Sequence, residues 1–331
     1  MTEIALVTGA TGFLGSAVAR ALIAAGHRVR VLTRPTSDKR NIDGIDAEIV
    51  HGNLDEPETL GPALKNCTAL FHVAADYRLW VRDPSAMYRT NVDGSAGLMR
   101  AAAAADISRA VYTSSVAVLG TDKTGKPADE DTPVTLNDMI GHYKRSKYLA
   151  EQAVAEVAQE TGLPVVTVNP STPIGPRDIK PTPTGRTIVM AASGKMPAYV
   201  DTGLNLVHVD DCAQGHILAF TKGVAGQRYI LGGEDFTLAH MQAEIARISG
   251  QRAAKISLPV GPLYPLAIGA ELMARITGKE PLLSRDTLRM ARKHMFFSSA
   301  KAARELDYGA RPAIEGLEDA VAWFRKEGYL R

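Results

Sequence analysis

The order of elements along the chain predicts an α/β fold: a doubly wound parallel sheet with a smaller, mainly helical C-terminal lobe. Three observations predict it. Short apolar runs alternate with helical periodicity through the first half of the 331 residues, the pattern of parallel strands with helices on both faces. The first run, Ile4-Ala5-Leu6-Val7-Thr8, leads into a turn with glycines at positions 9, 12 and 15 and then into an Ala- and Leu-rich helix. After Asn169 the texture changes, with Pro170, Pro173, Gly175, Pro176, Pro181, Pro183 and Gly185 crowded together.

The opening turn is the most specific of the three. A strand, a tight glycine turn and a helix N-terminus make an anion site: main-chain N–H groups and the helix dipole attract a diphosphate, and missing Cβ atoms let it approach. The spacing here is G-x-x-G-x-x-G, with Thr11, Phe13 and Leu14 between the glycines. Further strands are expected at 28–33, 47–50, 69–73, 110–114 and 164–169, and helices at 13–25, 57–65, 84–105 and 142–161, the last closed by Gly162. A strand at 206–209, a helix at 210–221 and a strand at 229–231 return to the first domain. The first domain is thus 1–169 plus about 206–232, and the lobe about 170–205 and 233–331. Ligands of such sheets lie beyond the carboxyl ends of the strands, where Gly9, Arg34, Asn53, Ala74, Ser115 and Pro170 fall.

Composition narrows the field. The chain is 45% hydrophobic with a net charge of +2, so a sizeable core is expected and nucleic acid is not an expected partner. Cys67 and Cys212 lie far apart among apolar or small residues. No disulfide or metal framework is expected, which suits a reducing, cytoplasmic setting. With strand already at Ile4, no signal peptide is expected. The apolar stretch from Val260 to Ile276 carries Pro262, Pro265, Glu271 and Arg275, so a buried or interfacial helix is expected rather than a membrane span. Within it, Leu263 to Met273 is read as core; walling an apolar pocket, which would suit a lipid-like substrate, is the other reading.

Chemistry is carried by Tyr143-Lys144-Arg145-Ser146-Lys147. Tyr143 and Lys147 stand at i and i+4, on one helix face. A phenol with a pKa near 10 exchanges protons poorly at neutral pH, and a neighbouring ammonium favours its phenolate. Tyr143 can then act as general acid or base on an alcohol or carbonyl, and Lys147 can also bond ribose hydroxyls. Ser115 ends an expected strand and can orient a substrate oxygen.

Taken in order, Thr8-Gly-Ala-Thr-Gly-Phe-Leu-Gly15, Gly52-Asn-Leu54, His72-Val-Ala-Ala75, Asn91-Val92, Thr113-Ser-Ser115, Tyr143-x-x-x-Lys147 and Asn169-Pro170 resemble the extended short-chain dehydrogenase/reductases of the epimerase/dehydratase family. The nearest likeness is to the hopanoid-associated sugar epimerases and dihydroflavonol-4-reductase-like enzymes, suggested by residues 169–178 and 202–211. The resemblance implies a Rossmann sheet, hydride transfer to or from a nicotinamide, and a homodimer through the helices at 84–105 and 142–161. It implies catalytic places for Ser115, Tyr143, Lys147 and Asn91. Cofactor contacts are expected from Gly9, Thr11, Gly12, Phe13, Leu14, Gly15, Arg34, Asn53, Leu54, Ala74, Ala75, Lys147 and Pro170, and substrate contacts from Tyr77, Ser114, Thr172, Arg177 and Asn205.

Three local features refine this. Val116-Ala117 follow Ser115 where the 4,6-dehydratases need an acidic pair, so dehydration is disfavoured. Leu204, with Asn205 beside it, stands where many nucleotide-sugar epimerases carry a diphosphate-binding Arg; Arg177 or Arg186 could substitute. The second strand ends Thr33-Arg34-Pro35 with no acid before Asp38, so NADP is favoured over NAD. The expected function is an NADP-dependent oxidoreductase on a ketone or secondary alcohol. An epimerase of nucleotide- or lipid-linked sugars is the alternative, and a non-catalytic dinucleotide sensor the third reading. His72 and His208 are read as core histidines, and Tyr77, Arg78 and Trp80 as residues that could face substrate.

Overall fold

A computed structural model describes residues 3–122, 125–281 and 283–330. In chain order the strands are β1 (Ile4–Thr8), β2 (Arg28–Thr33), β3 (Ala47–His51), β4 (Ala69–His72), β5 (Arg109–Thr113), β6 (Val165–Pro170), β7 (Thr172–Ile174), β8 (Ala198–Tyr199), β9 (Gly203–His208), β10 (Arg228–Leu231), β11 (Glu234–Thr237), β12 (Ile256–Ser257) and β13 (His294–Met295). The α-helices are α1 (Phe13–Ala24), α2 (Leu60–Leu64), α3 (Ser85–Tyr88), α4 (Gly94–Ala104), α5 (Gly141–Thr161), α6 (Pro183–Ala192), α7 (Val209–Lys222), α8 (Leu238–Ser249), α9 (Tyr264–Thr277), α10 (Arg285–Met290), α11 (Ala300–Leu306) and α12 (Ala313–Lys326).

Seven strands form one parallel sheet in the order β10-β6-β5-β4-β1-β2-β3. This is a Rossmann-like doubly wound sheet, and its order reverses between β1 and β4. The register sets Thr8 against Leu32 on one side and His72 on the other, and Thr113 against Val168. Successive side chains of a strand face opposite sides, and the apolar runs use both. Ala5, Val7, Val31, Phe71 and Val168 pack with α1 and α7, whereas Leu6, Leu32, Leu70 and Tyr112 pack with α2, α4 and α5. Burial on both faces is why these strands read as continuous apolar runs rather than alternating ones. Gly162 closes α5 with φ 74°, as a left-handed C-terminal residue should.

Three expectations change. The expected helix at 84–105 is α3 and α4 joined through a π-helical turn, Arg89–Asp93, that carries Asn91. The strand expected at 206–209 forms as β9 but joins a second sheet, paired with β7, β11 and β13; only α7 and β10 return to the first sheet and its layers. This second sheet packs with α6, α8 and α12 around Ile188, Leu206, Phe236, Ile245 and Phe324, so the mainly helical lobe carries a small sheet of its own. The segment read as core, Leu263 to Met273, buries Ala267 while Leu266, Ile268, Leu272 and Met273 are exposed. Cys67 and Cys212 are free and buried.

Candidate active site

The glycine turn lies at the switch point of the sheet. Gly9 has φ +74°, and a Cβ there would sit 2.7 Å from the Ala74 nitrogen. A Cβ on Gly15 would sit 2.2 Å from the Gly9 carbonyl oxygen. The Gly12 N–H donates to that same oxygen at 2.9 Å, which closes the turn. Among the described residues no side chain caps the N-terminus of α1, and no acid occupies its first turn, so the cradle suits an anion. Thr11, Phe13, Leu14, Ala74 and Ala75 are half-buried along this rim, and Pro170 is buried at the end of β6. Leu54 is buried, and a Cβ on Gly94 would meet its side chain at 2.9 Å. The set fits the diphosphate and ribose end of a dinucleotide.

A cleft of about 290 Å³ at the ends of β2 and β3 is lined by Arg34, Pro35, Thr36, His51, Asn53 and Glu56, among others. Arg34 is exposed and makes no ion pair among the described residues. Asp38 is not free to bind a ribose: its carboxylate accepts from the Arg40 main-chain N–H and guanidinium, which hold it down to about 2. Asn53 Oδ1 accepts from the Asp55 N–H at 3.3 Å.

At the reacting end, β5 and α5 converge. The Ser115 hydroxyl accepts from the Ala117 N–H at 3.1 Å and lies beside Tyr143, whose acidity it favours. Burial outweighs that contact, so the Tyr143 phenol is raised above its ordinary value. The Lys147 ammonium is bonded within the protein: Nζ donates to the Thr113 carbonyl at 2.7 Å and to Tyr112 Oη at 3.2 Å. Burial lowers Lys147 to about 8, with the Glu151 carboxylate opposing. Among the described residues Ser114 Oγ and Asn169 Oδ1 are buried without a partner, as is Ser171 Oγ beside Thr172. Unpaired buried polar atoms clustered at strand ends are places where a ligand's polar groups find partners.

Two residues that sequence reasoning left out of the site hold it in shape. Asn169 Nδ2 donates to the Ser115 carbonyl at 3.1 Å and to Glu151 Oε2 at 3.2 Å. His216 Nδ1 donates to the Cys212 carbonyl at 2.7 Å, leaving Nε2 to accept from Thr113 Oγ1 at 3.0 Å; burial lowers it to about 4. An Asn closing an apolar strand is a visible signal. A histidine on a helix four residues after a cysteine is not.

Asn91 is saturated within the protein. Oδ1 accepts from the Asp76 N–H at 2.7 Å, and Nδ2 donates to the Asp76 carbonyl and Ser146 Oγ, both at 2.9 Å. It braces the 74–77 loop against α5. Asn205 is likewise consumed: Oδ1 accepts from Gly233, and Nδ2 donates to Asp235 and to the Gly233 and Phe297 carbonyls. Arg177 pairs with Asp210 at the start of α7. These bonds set Asn205 and Arg177 apart from Tyr77, which lines a second cleft of about 360 Å³ with Arg78, Leu79, Lys180 and Arg186. Tyr77 lies near enough to raise the Tyr143 phenol, and neither Ser115 nor Tyr143 lines this cleft. His72 and His208 are core residues as expected. His72 bonds Thr8 Oγ1 (2.7 Å) and Ser95 Oγ (2.9 Å), and His208 accepts from the Asp210 N–H (3.0 Å).

Fold and site together define a dinucleotide-binding Rossmann enzyme with a Ser-Tyr-Lys constellation. The chain belongs to the NAD dependent epimerase/dehydratase family, whose model matches residues 5–232. It is similar to a protein of Synechocystis named "Putative dihydroflavonol 4-reductase", 41% identical over 100% of this chain and 97% of that one. It is similar to "Sterol demethylase protein B" of Methylococcus capsulatus, 31% identical over 98% and 99%. Among solved structures, gox2253 is 54% identical over 100% of both chains, with a TM-score of 0.90.

Proposed function

We propose that the protein is an NADP-dependent reductase or dehydrogenase acting on a ketone or secondary alcohol. The observation that carries this reading is the meeting of Ser115 and Tyr143 at the end of β5, with Lys147 buried one helical turn on. The Ser115 hydroxyl orients the substrate oxygen. Tyr143 gives that oxygen a proton on reduction and takes it back on oxidation. When bound, the dinucleotide supplies or accepts the hydride, and its oxidised ring adds positive charge near the phenol. Lys147 and Pro170 take the ribose and nicotinamide side, and the rim from Gly9 to Gly15 with Leu54, Ala74 and Ala75 takes the rest. Arg34 pairs with a 2′-phosphate. Ser114, Thr172 and Tyr77 face the substrate. Asn91 positions the loop and helix around them. Reductase names among the relatives support this reading, and a homodimer through α4 and α5 belongs to it.

The test begins with purified protein. Any dinucleotide released on denaturation is identified, and NADPH and NADH are then titrated. Exchangeable NADPH with turnover of a carbonyl panel is expected. Tightly retained NAD(H) would instead favour an epimerase, which keeps its cofactor through the cycle. Tyr143→Phe should lower kcat by about 10²–10⁴-fold with NADPH affinity unchanged; retained activity overturns the assignment of the proton donor.

A further inference from the structure

Helix α9 inverts the usual arrangement of a surface helix. Its buried side is Ala267 and Ala274, whereas Leu266 (65%), Ile268 (52%), Leu272 (62%), Met273 (60%) and Ile276 (77%) are exposed. At 3.6 residues per turn these five cover an arc of roughly 160°. The other residues within it are Pro265 and Gly269, and a Cβ on Gly269 would meet nothing within 4 Å. Ile256 and Leu258, on the segment leading into α9, are exposed as well. Contiguous apolar surface of this kind marks a docking site on soluble proteins.

The charges around the helix identify what docks. Between Arg252 and Lys293 the chain carries eight Lys or Arg against three acids, in a protein whose net charge is only +2. All three acids are already paired: Glu271 with Arg285, Glu280 with Arg186, and Asp286 with Arg289. Arg252, Lys255, Arg275, Lys279, Arg292 and Lys293 have no carboxylate partner among the described residues. Arg275 borders the apolar arc, and the Arg292 guanidinium lies 5.8 Å over the Tyr264 ring at the head of the helix. An apolar stripe edged by uncompensated cations is the signature of a helix lying in the plane of an anionic bilayer surface. With 14 residues, α9 is about 21 Å long, too short for a hydrocarbon core of about 30 Å. A second copy of the chain is the poorer occupant, because a two-fold contact along α9 would set these cations against their own kind.

We infer that α9 docks the protein peripherally on membranes rich in anionic lipid. The Arg186–Glu280 pair joins the α9 end of this surface to the cleft that Tyr77 lines, so an amphiphilic substrate would enter from the bilayer. That consequence rests on the substrate role of the cleft; docking itself does not, and it is measured without turnover.

The experiment is flotation of the full-length protein with vesicles of phosphatidylcholine containing about one third phosphatidylglycerol, against phosphatidylcholine alone. The protein should float with the anionic vesicles and detach as salt is raised. Leu272→Glu with Ile276→Glu should lower binding at least tenfold while thermal midpoint and NADPH affinity stay unchanged. Arg275→Gln and Lys279→Gln should each weaken it about fivefold. Three results overturn the proposal: no flotation of the wild-type protein, flotation that survives the double glutamate variant, or wild-type self-association that this variant abolishes without vesicle binding in either protein.

Discussion

On the proposed reading, cofactor choice falls to Arg34 and Asp38. The first acid after β2 is bound three times over by Arg40, and Arg34, free of any ion pair among the described residues, borders the cleft at the sheet edge. A guanidinium against a phosphate is worth roughly 1.5–3 kcal/mol. Arg34→Ala should therefore raise KM for NADPH about 10–100-fold and leave KM for NADH within twofold; steady-state kinetics with both cofactors checks it, and equal losses would remove Arg34 from the 2′-phosphate site. At this scale the sequence was legible where a residue type has one chemistry. Tyr143 and Ser115 meet, and Lys147 stands one helical turn on, bonded to Thr113 and Tyr112. Asn91, Asn205 and Arg177 were legible as polar positions but their partners within the protein were not, because an amide or guanidinium serves a neighbouring protein group as readily as a ligand. All four hydrogen-bond contacts of Asn205 go to Gly233, Asp235 and Phe297, which are distant in sequence.

At the scale of the element, glycines separate turns that need them from helices that tolerate them. A methyl on Gly15 would press into the Gly9 main chain at 2.2 Å, and main chain cannot step aside as a flexible side chain can. Gly15→Ala should destabilise by about 1–3 kcal/mol or more and abolish dinucleotide binding. Gly269→Ala meets open space within α9 and should stabilise by about 0.5–1 kcal/mol. Urea unfolding of both variants checks the pair, and the same sign for both would contradict this account of the turn. The parallel strands were legible because burial on both faces leaves continuous apolar runs ended by turn residues. The partner of β9 was not: Leu206-Val207-His208 reads as a buried strand in either sheet, and pairing is decided by β7, β11 and β13, which come from three other parts of the chain. Nor was the exposure of α9. Leucines and isoleucines along one side of a helix signal burial in something, and the sequence does not say whether that is protein or lipid.

Across the whole molecule, two buried histidines tie the sheet to its two helical layers. His72 on β4 links Thr8 of β1 to Ser95 of α4, and His216 on α7 links to Thr113 of β5 on the opposite face. Burial lowers them to about 3 and about 4. Between pH 6.5 and 4 the unfolded chain therefore binds protons that the folded chain refuses, and stability falls as pH falls, by about 3 kcal/mol for each histidine. Asp178 works the other way. Burial raises its carboxyl to about 6, so from pH 6.5 to 4 the folded form takes up a proton that the unfolded form largely lacks, returning about 2 kcal/mol. The histidines outweigh it, and a net loss of about 4 kcal/mol between pH 6.5 and 4 is expected. Asp178→Asn should steepen the loss, since it removes the opposing group, and His216→Gln should shrink it by nearly half of the histidine share. Urea unfolding at pH 7, 5.5 and 4 for the three proteins decides the matter: a wild-type stability that is flat or rising toward pH 4 would mean that these histidines accept protons in the folded sheet.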